Sequence, residues 1–526
     1  MKQHLVFAIL CIVLLQVSCT KKQKAEVEQE AVKRPNIIYV LADDLGIGDV
    51  KVFNNNGKIK TPNLDNLAAG GMIFTDAHTS SSVCTPTRYG ILTGRYNWRS
   101  RLKSGVLTGT SKALIPNSRA TVASFLKENG YYTGFIGKWH LGWDWAKTQK
   151  DSLLGNGWNP GDYKNIDFSK PIKNGPNDVG FDYAYGHSGS LDMAPYVYVE
   201  NGMPTTIPDT VTVDKGKYTW WREGPTSPDF VHEDVTPNFF RRSFNFIKEQ
   251  AKNEKPFFLY LALPSPHTPI LPTEEWLGKS GLNPYADFVM EVDGYMGQLQ
   301  AAIKEAGIEE NTIVIFTSDN GCSPQADYKA LAAFDHNPSS IYRGHKADIF
   351  EGGHRVPFIV KWPEMVKAGS VSGKTICTTD LFATCADIVN AKLTDNEAED
   401  SFSMLPLLTN NGKMFKREAI IHSSINGSFA IRQGDYKLVM APGSAGWSFP
   451  KPNSKDVVSL PEIQLYNLVT DPGEMQNIYK EHPEKVTELK TLLENQILEG
   501  RSTPGKAQEN DSVANWKQIN WISKNK

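Results

Sequence analysis

Two apolar runs of this chain each end in side chains that could hold a metal ion. The first run leads directly into Asp43 and Asp44, and the second, far along the chain, leads into Asp319 and Asn320. Both runs are typical of buried parallel strands, and ligands of α/β sheets bind beyond the carboxyl ends of such strands. Oxygen ligands of this kind suit Ca²⁺ or Mg²⁺ rather than zinc. Together these two acidic strand ends, which we call the acidic tips, predict a cation site. Either one alone could equally cap a helix or a turn.

Four basic side chains lie in contexts that could serve an anionic substrate. Lys138 and His140 are two residues apart, a spacing that directs both to one side of an extended segment. His267 lies in a proline-rich loop after an apolar strand, and Lys346 lies in a polar stretch that contains several glycines. Any one such residue is more often structural or solvated than catalytic, so only their combination with the acidic tips indicates a site.

The most specific motif is Cys84-Thr85-Pro86-Thr87-Arg88, followed by Leu92-Thr93-Gly94-Arg95. A lone Cys before a Pro is more often a buried, inert thiol at a turn. The extended stretch, however, resembles the formylglycine motif of the type I sulfatases. In that family the Cys is oxidised to an aldehyde whose hydrate attacks the sulfate ester, and the second hydroxyl of the hydrate then expels the sulfate. The resemblance therefore implies a hydrolase of sulfate monoesters.

The resemblance also implies a role for each candidate residue. Cys84, converted to formylglycine (3-oxoalanine) by a maturation enzyme, is the nucleophile and completes the shell of a Ca²⁺ or alternatively a Mg²⁺ ion. Arg88 and Lys138 orient the aldehyde hydrate, while Lys138 and Lys346 bind the sulfate oxygens. His140 is the base and His267 is the general acid, although these two roles could be exchanged. The other metal ligands implied are Asp43, Asp44, Asp319 and Asn320.

Substrate choice is expected to depend on residues 143–234, where periodicity is lost and Gly, Pro, Asp and aromatic residues accumulate. Part of this insertion resembles the stretch before the leaving-group pocket of carbohydrate sulfatases. His187 and Asp192 are candidates for hydrogen bonds to sugar hydroxyls, or else a loop-stabilising His and a turn Asp. We expect a sulfated saccharide substrate, of galactose or N-acetylgalactosamine type, from a host glycan. Five tryptophans could stack on the sugar or belong to the core: Trp139, Trp143, Trp145, Trp220 and Trp221.

Two other functions stay open at this point. Relatives with the same modified Cys cleave phosphonate monoesters or phosphodiesters, so a phosphorus esterase is the nearer alternative. A lipoprotein that binds sulfated glycans without turnover is the other, and it would require Cys84 to remain a thiol. The net charge of −2 gives no general attraction to nucleic acid, so none is expected as a partner.

The N-terminus predicts export. Residues 1–19 contain a short apolar run and end in Ser18-Cys19, as in the signal peptide of a bacterial lipoprotein. Gln16 departs from the aliphatic residue usual at its position, so simple secretion stays open beside lipidation of Cys19. A polar linker, residues 20–33, follows. We expect a periplasmic enzyme of a Gram-negative bacterium, or one tethered to the outer membrane through Cys19 alone.

The remaining pattern predicts an α/β fold in two parts. Residues 34–412 are expected to form the catalytic domain, a mostly parallel sheet flanked by helices, and the resemblance implies an architecture like that of alkaline phosphatase. Residues 413–526 are expected to form a smaller antiparallel subdomain with one helix. Helices are predicted at 122–130, 238–252, 288–306 and 483–498.

Cysteine usage excludes a disulfide scaffold. Apart from the signal peptide, the lipid site and the nucleophile, only Cys322, Cys377 and Cys385 remain. Three thiols cannot all pair, and their spacing matches no zinc site. A bridge between Cys377 and Cys385 stays open.

Overall fold

The computed structural model describes residues 34–150 and 154–522, and its centre is a ten-stranded sheet. In spatial order the strands are β13 (Ser370–Ser372), β2 (Met72–Phe74), β12 (Phe358–Lys361), β11 (Thr312–Ser318), β1 (Asn36–Ala42), β10 (Phe257–Ala262), β4 (Tyr132–Lys138), β5 (Tyr183–His187), β6 (Val199–Glu200) and β7 (Met203–Pro204). The neighbouring strands from β11 to β5 in this order are parallel, which confirms the predicted α/β fold.

The central strands form because their sequences suit a sheet that is covered on both faces. β1, β10 and β11 are nearly continuous runs of aliphatic, β-branched and aromatic residues, and every residue of β10 and β11 is buried. Register pairs Ala42 with Ser318 and Leu41 with Ala262. The segments that follow these strands therefore begin side by side at one edge of the sheet.

Helices flank the sheet. The sequence predicts four of them, and three of these four begin and end within three residues of the predicted bounds. The exception is α5, which begins at Pro284 rather than at Phe288 because the side chain of Asn283 caps it and proline suits a first helical position. The helices are α1 (Pro62–Ala69), α2 (Cys84–Thr93), α3 (Val122–Glu128), α4 (Val235–Gln250), α5 (Pro284–Glu305), α6 (Tyr328–Ala332), α7 (Glu351–His354), α8 (Leu381–Ile388), α9 (Leu405–Leu408) and α10 (Pro483–Leu498).

Residues 143–234 are less irregular than predicted. β5, β6 and β7 extend the main sheet, while β8 (Thr210–Asp214) and β9 (Trp221–Thr226) pair as an antiparallel hairpin. Sequence periodicity misses these strands because β6 and β7 have only two residues each and β8 has no buried face.

The C-terminal region contains the predicted antiparallel sheet. Its apolar cluster includes residues of α10 and also Tyr96 and Trp98, which follow α2. The chain from Pro35 onward thus forms one compact unit, and the boundary at residue 412 stays a prediction. The strands are β15 (Ile420–Ser423), β16 (Phe429–Gln433), β17 (Tyr436–Val439) and β18 (Gln464–Asn467), and a separate short parallel pair joins β3 (Ala77–His78) to β14 (Ile376–Cys377).

The cysteines that the structure describes are free and buried, so Cys377 and Cys385 form no bridge. Within the described residues, no helix combines the length and the apolar character needed to cross a membrane. The predicted signal peptide, the polar linker and Cys19 lie outside the described residues.

Candidate active site

Four neighbouring parallel strands bring the predicted catalytic residues to one edge of the sheet. Since β11, β1, β10 and β4 are adjacent, the segments that follow them meet. All the side chains that these segments supply are buried. In the same order of strands, they are Asp319 and Asn320, Asp43 and Asp44, His267, and Lys138 with His140.

Cys84 and Arg88 enter the site from α2. Cys84 is the first residue of the helix, and Arg88 lies one turn later on the same face. The Sγ atom of Cys84 lies 3.7 Å from Oδ1 of Asp43. Arg88 is fully buried and donates from Nε and Nη2 to Oδ2 of Asp319, at 3.0 and 2.8 Å. Burial raises the pKa of the Cys84 thiol, so an unmodified Cys84 stays protonated and is a poor nucleophile.

Buried carboxylates and buried cations balance in this site. Lys138 donates to Asp43, and Nζ of Lys346 lies 2.7 Å from Oδ1 of Asp44. With Arg88, these two lysines offset the charge that the three buried aspartates carry when all of them are ionised. A divalent cation added to the balanced set would leave a net positive site, which attracts an anionic ester.

The oxygen groups fit such a cation. Oδ1 of Asn320 is buried, and none of the described residues is a hydrogen-bond partner for it. One potential ligand atom from each of Asp43, Asp44, Cys84 and His267 lies within 4.8 Å of the others. A cation here would satisfy the unpaired amide oxygen and would reduce the repulsion between the carboxylates.

The two carboxylates that share Arg88 have opposite pKa shifts. Burial raises the pKa of both, but the positive charges around Asp43, Lys138 first, hold its pKa well below the usual range. The negative charge of Asp43 then adds to burial and raises the pKa of Asp319. Without a further cation Asp319 therefore tends to keep a proton, whose place a divalent ion can take.

His140 presents an unshared electron pair to the site. Its Nε2 lies 2.8 Å from the carbonyl oxygen of Leu107 and is therefore the protonated nitrogen, while its buried Nδ1 has no hydrogen-bond partner within residues 34–150 and 154–522. Burial, followed by the charge of Lys138, lowers its pKa well below the ordinary value. Nδ1 is thus a free base at neutral pH.

Four of the predicted catalytic residues line a cavity of about 460 Å³, a volume in the range of small-molecule sites. Side chains from the insertion and from the C-terminal region complete its wall. From the centre come Cys84, His140, His267 and Lys346; from the insertion come Trp158, Asp192, Met193, Trp220 and Arg222; and from the C-terminal region come Ile425 and Trp447.

His187, predicted to contact the sugar, is not among the residues that line this cavity. It is the last residue of β5, and its ring stacks on Phe239 and meets Phe230 edge-on. Burial, followed by the charges of Lys138 and Arg88, lowers the pKa of His187 to about 3. These contacts indicate a packing role for His187.

The five tryptophans divide between the core and the cavity. Of the five, only Trp220 lines the cavity. Trp221 stacks on His232, and the remaining three belong to the apolar core: Trp139, Trp143 and Trp145.

The sulfatase family model matches residues 35–391, more than half of the chain. The chain belongs to the sulfatase family. Sulfatases generally use a formylglycine residue and a divalent metal ion, and the buried group around Cys84 fits both. A second family model, described as the C-terminal part of N-sulphoglucosamine sulphohydrolase, matches residues 345–503 of this sulfatase.

Relatives of this sulfatase align over most of its length. An N-acetylgalactosamine-6-O-sulfatase of Bacteroides thetaiotaomicron is 33% identical over 524 residues, which cover 92% of this chain and 96% of that protein. Human arylsulfatase A is 32% identical over 460 residues, which cover 84% of this chain and 83% of that enzyme. A solved structure from work on glycosaminoglycan metabolism by Bacteroides thetaiotaomicron has a TM-score of 0.74 and 32% identity, and the match covers 88% of this chain and 99% of that one.

Sequence reasoning missed four residues at the site of this sulfatase. Ser190 accepts from Nζ of Lys138 at 3.1 Å, and its position two residues before Asp192 was an available signal. Trp158, Arg222 and Trp447 had no such signal, since each lies in a stretch without periodicity.

Proposed function

We propose that this sulfatase removes the 6-O-sulfate from N-acetylgalactosamine or galactose residues of sulfated host glycans. The observation that carries the proposal is the cavity, which Cys84 shares with Asp192. The buried Oδ1 of Asp192 has no hydrogen-bond partner in the part of the chain that the structure describes. Such an acceptor suits a sugar hydroxyl. The relative named as an N-acetylgalactosamine-6-O-sulfatase, which aligns over nearly the whole of both chains, supports the choice of sugar and of sulfate position.

Binding of the sulfate is assigned to the buried cations. Formylglycine at position 84 supplies a hydroxyl nucleophile, and a divalent cation, Ca²⁺ or alternatively Mg²⁺, supplies positive charge beside it. Lys346 lines the cavity while it stays paired with Asp44, so its remaining N–H groups are available to a sulfate oxygen. Lys138 and Arg88 fix the position of the nucleophile. The cation is assigned to Asp43, Asp44, Asp319 and Asn320.

Proton transfer is assigned to the two histidines of the cavity. After the attack, Nδ1 of His140 accepts the proton of the nucleophile's second hydroxyl. Loss of this proton expels the sulfate. His267 protonates the departing sugar oxygen. Burial and the charge of Lys346 lower the pKa of His267 in the free enzyme, and the negative charge of a bound sulfate opposes that effect.

The assignment of substrate is tested with enzyme that has been co-expressed with a formylglycine-generating enzyme. Sulfate release is measured for the 6-sulfates of N-acetylgalactosamine, galactose and N-acetylglucosamine and for N-acetylgalactosamine 4-sulfate. We expect kcat/KM for the galacto-configured 6-sulfates to exceed the others by about tenfold or more. Preference for the 4-sulfate or the gluco sugar would refute the substrate, and faster cleavage of phosphonate or phosphate esters would refute the reaction.

We also propose that the enzyme is exported and carries a lipid on Cys19, as its N-terminal residues indicate. Growth with an alkyne fatty acid should label the wild-type protein and should not label Cys19→Ala. Labelling of both proteins, or of neither, would contradict lipidation at this residue.

A further inference from the structure

Arg222 contacts two indole rings in the cavity wall. Its guanidinium carbon lies 4.8 Å from the ring centroid of Trp158 and 4.7 Å from that of Trp220. Its Nη1 donates to the carboxylate of Asp192 and, at 3.3 Å, to the backbone oxygen of the same residue. We call these four residues, all of which line the cavity with Cys84, the arginine clamp.

The chain fixes the arginine clamp through its backbone as well as through its side chains. The amide of Arg222 donates to the carbonyl of Asp192 at 3.2 Å, and the hydroxyl of Tyr196 donates to the carbonyl of Arg222 at 2.6 Å. The amide of Trp158 donates to Asp162 at 3.0 Å. Three separate segments of the insertion thus converge, so the clamp is positioned before any ligand arrives.

The arginine clamp leaves hydrogen-bonding capacity unused. Oδ1 of Asp192 is buried and has no hydrogen-bond partner among the described residues, and only 8% of that side chain is exposed. The side-chain hydrogen bonds from Arg222 to the described residues both come from Nη1, which leaves Nε and Nη2 available. One acceptor and two donors therefore stand next to each other in the same wall.

The charge of the pair limits what it can recognise. Asp192 neutralises Arg222, and the unpaired oxygen of Asp192 would repel a sulfate or carboxylate placed against it. A pair of neighbouring neutral hydroxyls suits this arrangement, since one hydroxyl can donate to Asp192 while the other accepts from Arg222. The two indole rings contact the guanidinium, which favours its positive charge and restricts its motion.

We propose that Arg222, with Asp192, is the specificity-determining residue that reads two unsulfated hydroxyls on the sugar bearing the scissile sulfate. The inference rests on the proposed function for its choice of sugar. The arginine clamp selects saccharides in which free hydroxyls stand beside the single sulfate. It disfavours saccharides that carry a second sulfate or a carboxylate in place of those hydroxyls. Arg222 takes no part in the chemical step.

The experiment compares a sugar sulfate with an aryl sulfate that has no hydroxyls, using mature enzyme. In Arg222→Lys the charge remains but the planar fork is lost, so kcat/KM for the sugar sulfate should fall about tenfold or more, mainly through KM. Hydrolysis of 4-nitrophenyl sulfate should stay within about threefold of wild type. Arg241→Lys is the matched control, because Arg241 pairs with Asp234 at 2.7 Å on the exposed surface away from the cavity.

A second comparison tests the argument from charge. The wild type should turn over N-acetylgalactosamine 6-sulfate at least about tenfold faster than its 4,6-disulfate, and Asp192→Asn should reduce that ratio because the repelling charge is gone. The proposal would be overturned if Arg222→Lys lost kcat/KM equally on the sugar sulfate and the aryl sulfate. It would also be overturned if the wild type cleaved the 6-sulfate and the 4,6-disulfate equally well. If another monosulfated sugar proves to be the substrate, the same comparisons are made with it, so that failure of the proposed sugar stays distinct from failure of the arginine clamp.

Discussion

His140→Gln should remove most of the turnover of this enzyme and leave its fold intact. The glutamine amide can still donate to the carbonyl of Leu107, which Nε2 of His140 approaches to 2.8 Å, but it has no basic nitrogen to take the place of Nδ1. Loss of a general base typically costs about 10²–10⁴-fold in rate. The activation barrier should therefore rise by about 3–5 kcal/mol, with little change in KM.

The matched control is His187→Gln. His187 is equally buried, and the same cations, Lys138 and Arg88, add to the lowering of its pKa, but it is absent from the wall of the cavity. Its replacement should lower thermal stability while kcat stays within about threefold of wild type. The assay is release of inorganic sulfate under saturating substrate, together with a thermal melt of each variant.

The pH dependence of the wild type gives an independent check. A histidine whose pKa is held well below its ordinary value stays unprotonated through the neutral range. The base form of His140 therefore prevails through the neutral range, and kcat should show no loss there that is attributable to its protonation. A His140→Gln variant with near wild-type kcat, or a His187→Gln variant with the larger kinetic loss, would refute the assignment of the base.

Three further outcomes are expected. Chelation should lower the melting temperature of the wild type, and Ca²⁺ or Mg²⁺ at about 100 times its Kd should restore about 2.7 kcal/mol of stability, whereas Asp319→Ala should respond to neither treatment; an equal response in both proteins would place the ion elsewhere. The peptide containing position 84 from active protein should have the mass of the aldehyde and should react with hydrazide probes, and a fully active Cys84 thiol would contradict the mechanism. Lys437→Met should lower the free energy of unfolding, measured in denaturant, by about 3–5 kcal/mol. The reason is that Nζ of Lys437 lies 3.1 Å from the buried carboxylate of Glu351 and 2.8 Å from that of Glu474. A loss below about 1 kcal/mol would show that these carboxylates find other partners.

The catalytic centre could be predicted from sequence because its geometry is local. Asp43 and Asp44 are consecutive residues at a strand end, and Cys84 and Arg88 are one helical turn apart, so short motifs define their relative positions. The convergence of separate strands then follows from the rule that parallel strands carry their ligands at their carboxyl ends.

The part of the cavity wall that the insertion supplies could not be predicted in the same way. Trp158 and Arg222 are far apart in the chain, and the contact between them depends on the β8–β9 hairpin, which has no clear periodicity. The face of β5 on which His187 lies decides whether its side chain meets the cavity or the ring of Phe239. A one-residue change of register would move the side chain to the other face. The sequence identifies such residues as candidates but does not determine which way they point.

This division has a physical consequence for the specificity of the enzyme. The catalytic cations are fixed by buried ion pairs such as Arg88 with Asp319, where loss of one partner leaves an uncompensated charge. The arginine clamp instead lies in the insertion, where its members Trp158 and Trp220 are 44% and 37% exposed, so that substitutions there disturb fewer buried neighbours. Sugar preference can therefore change by substitution in the insertion while the sulfate chemistry is retained, because the two sets of residues share a cavity but few of their stabilising contacts.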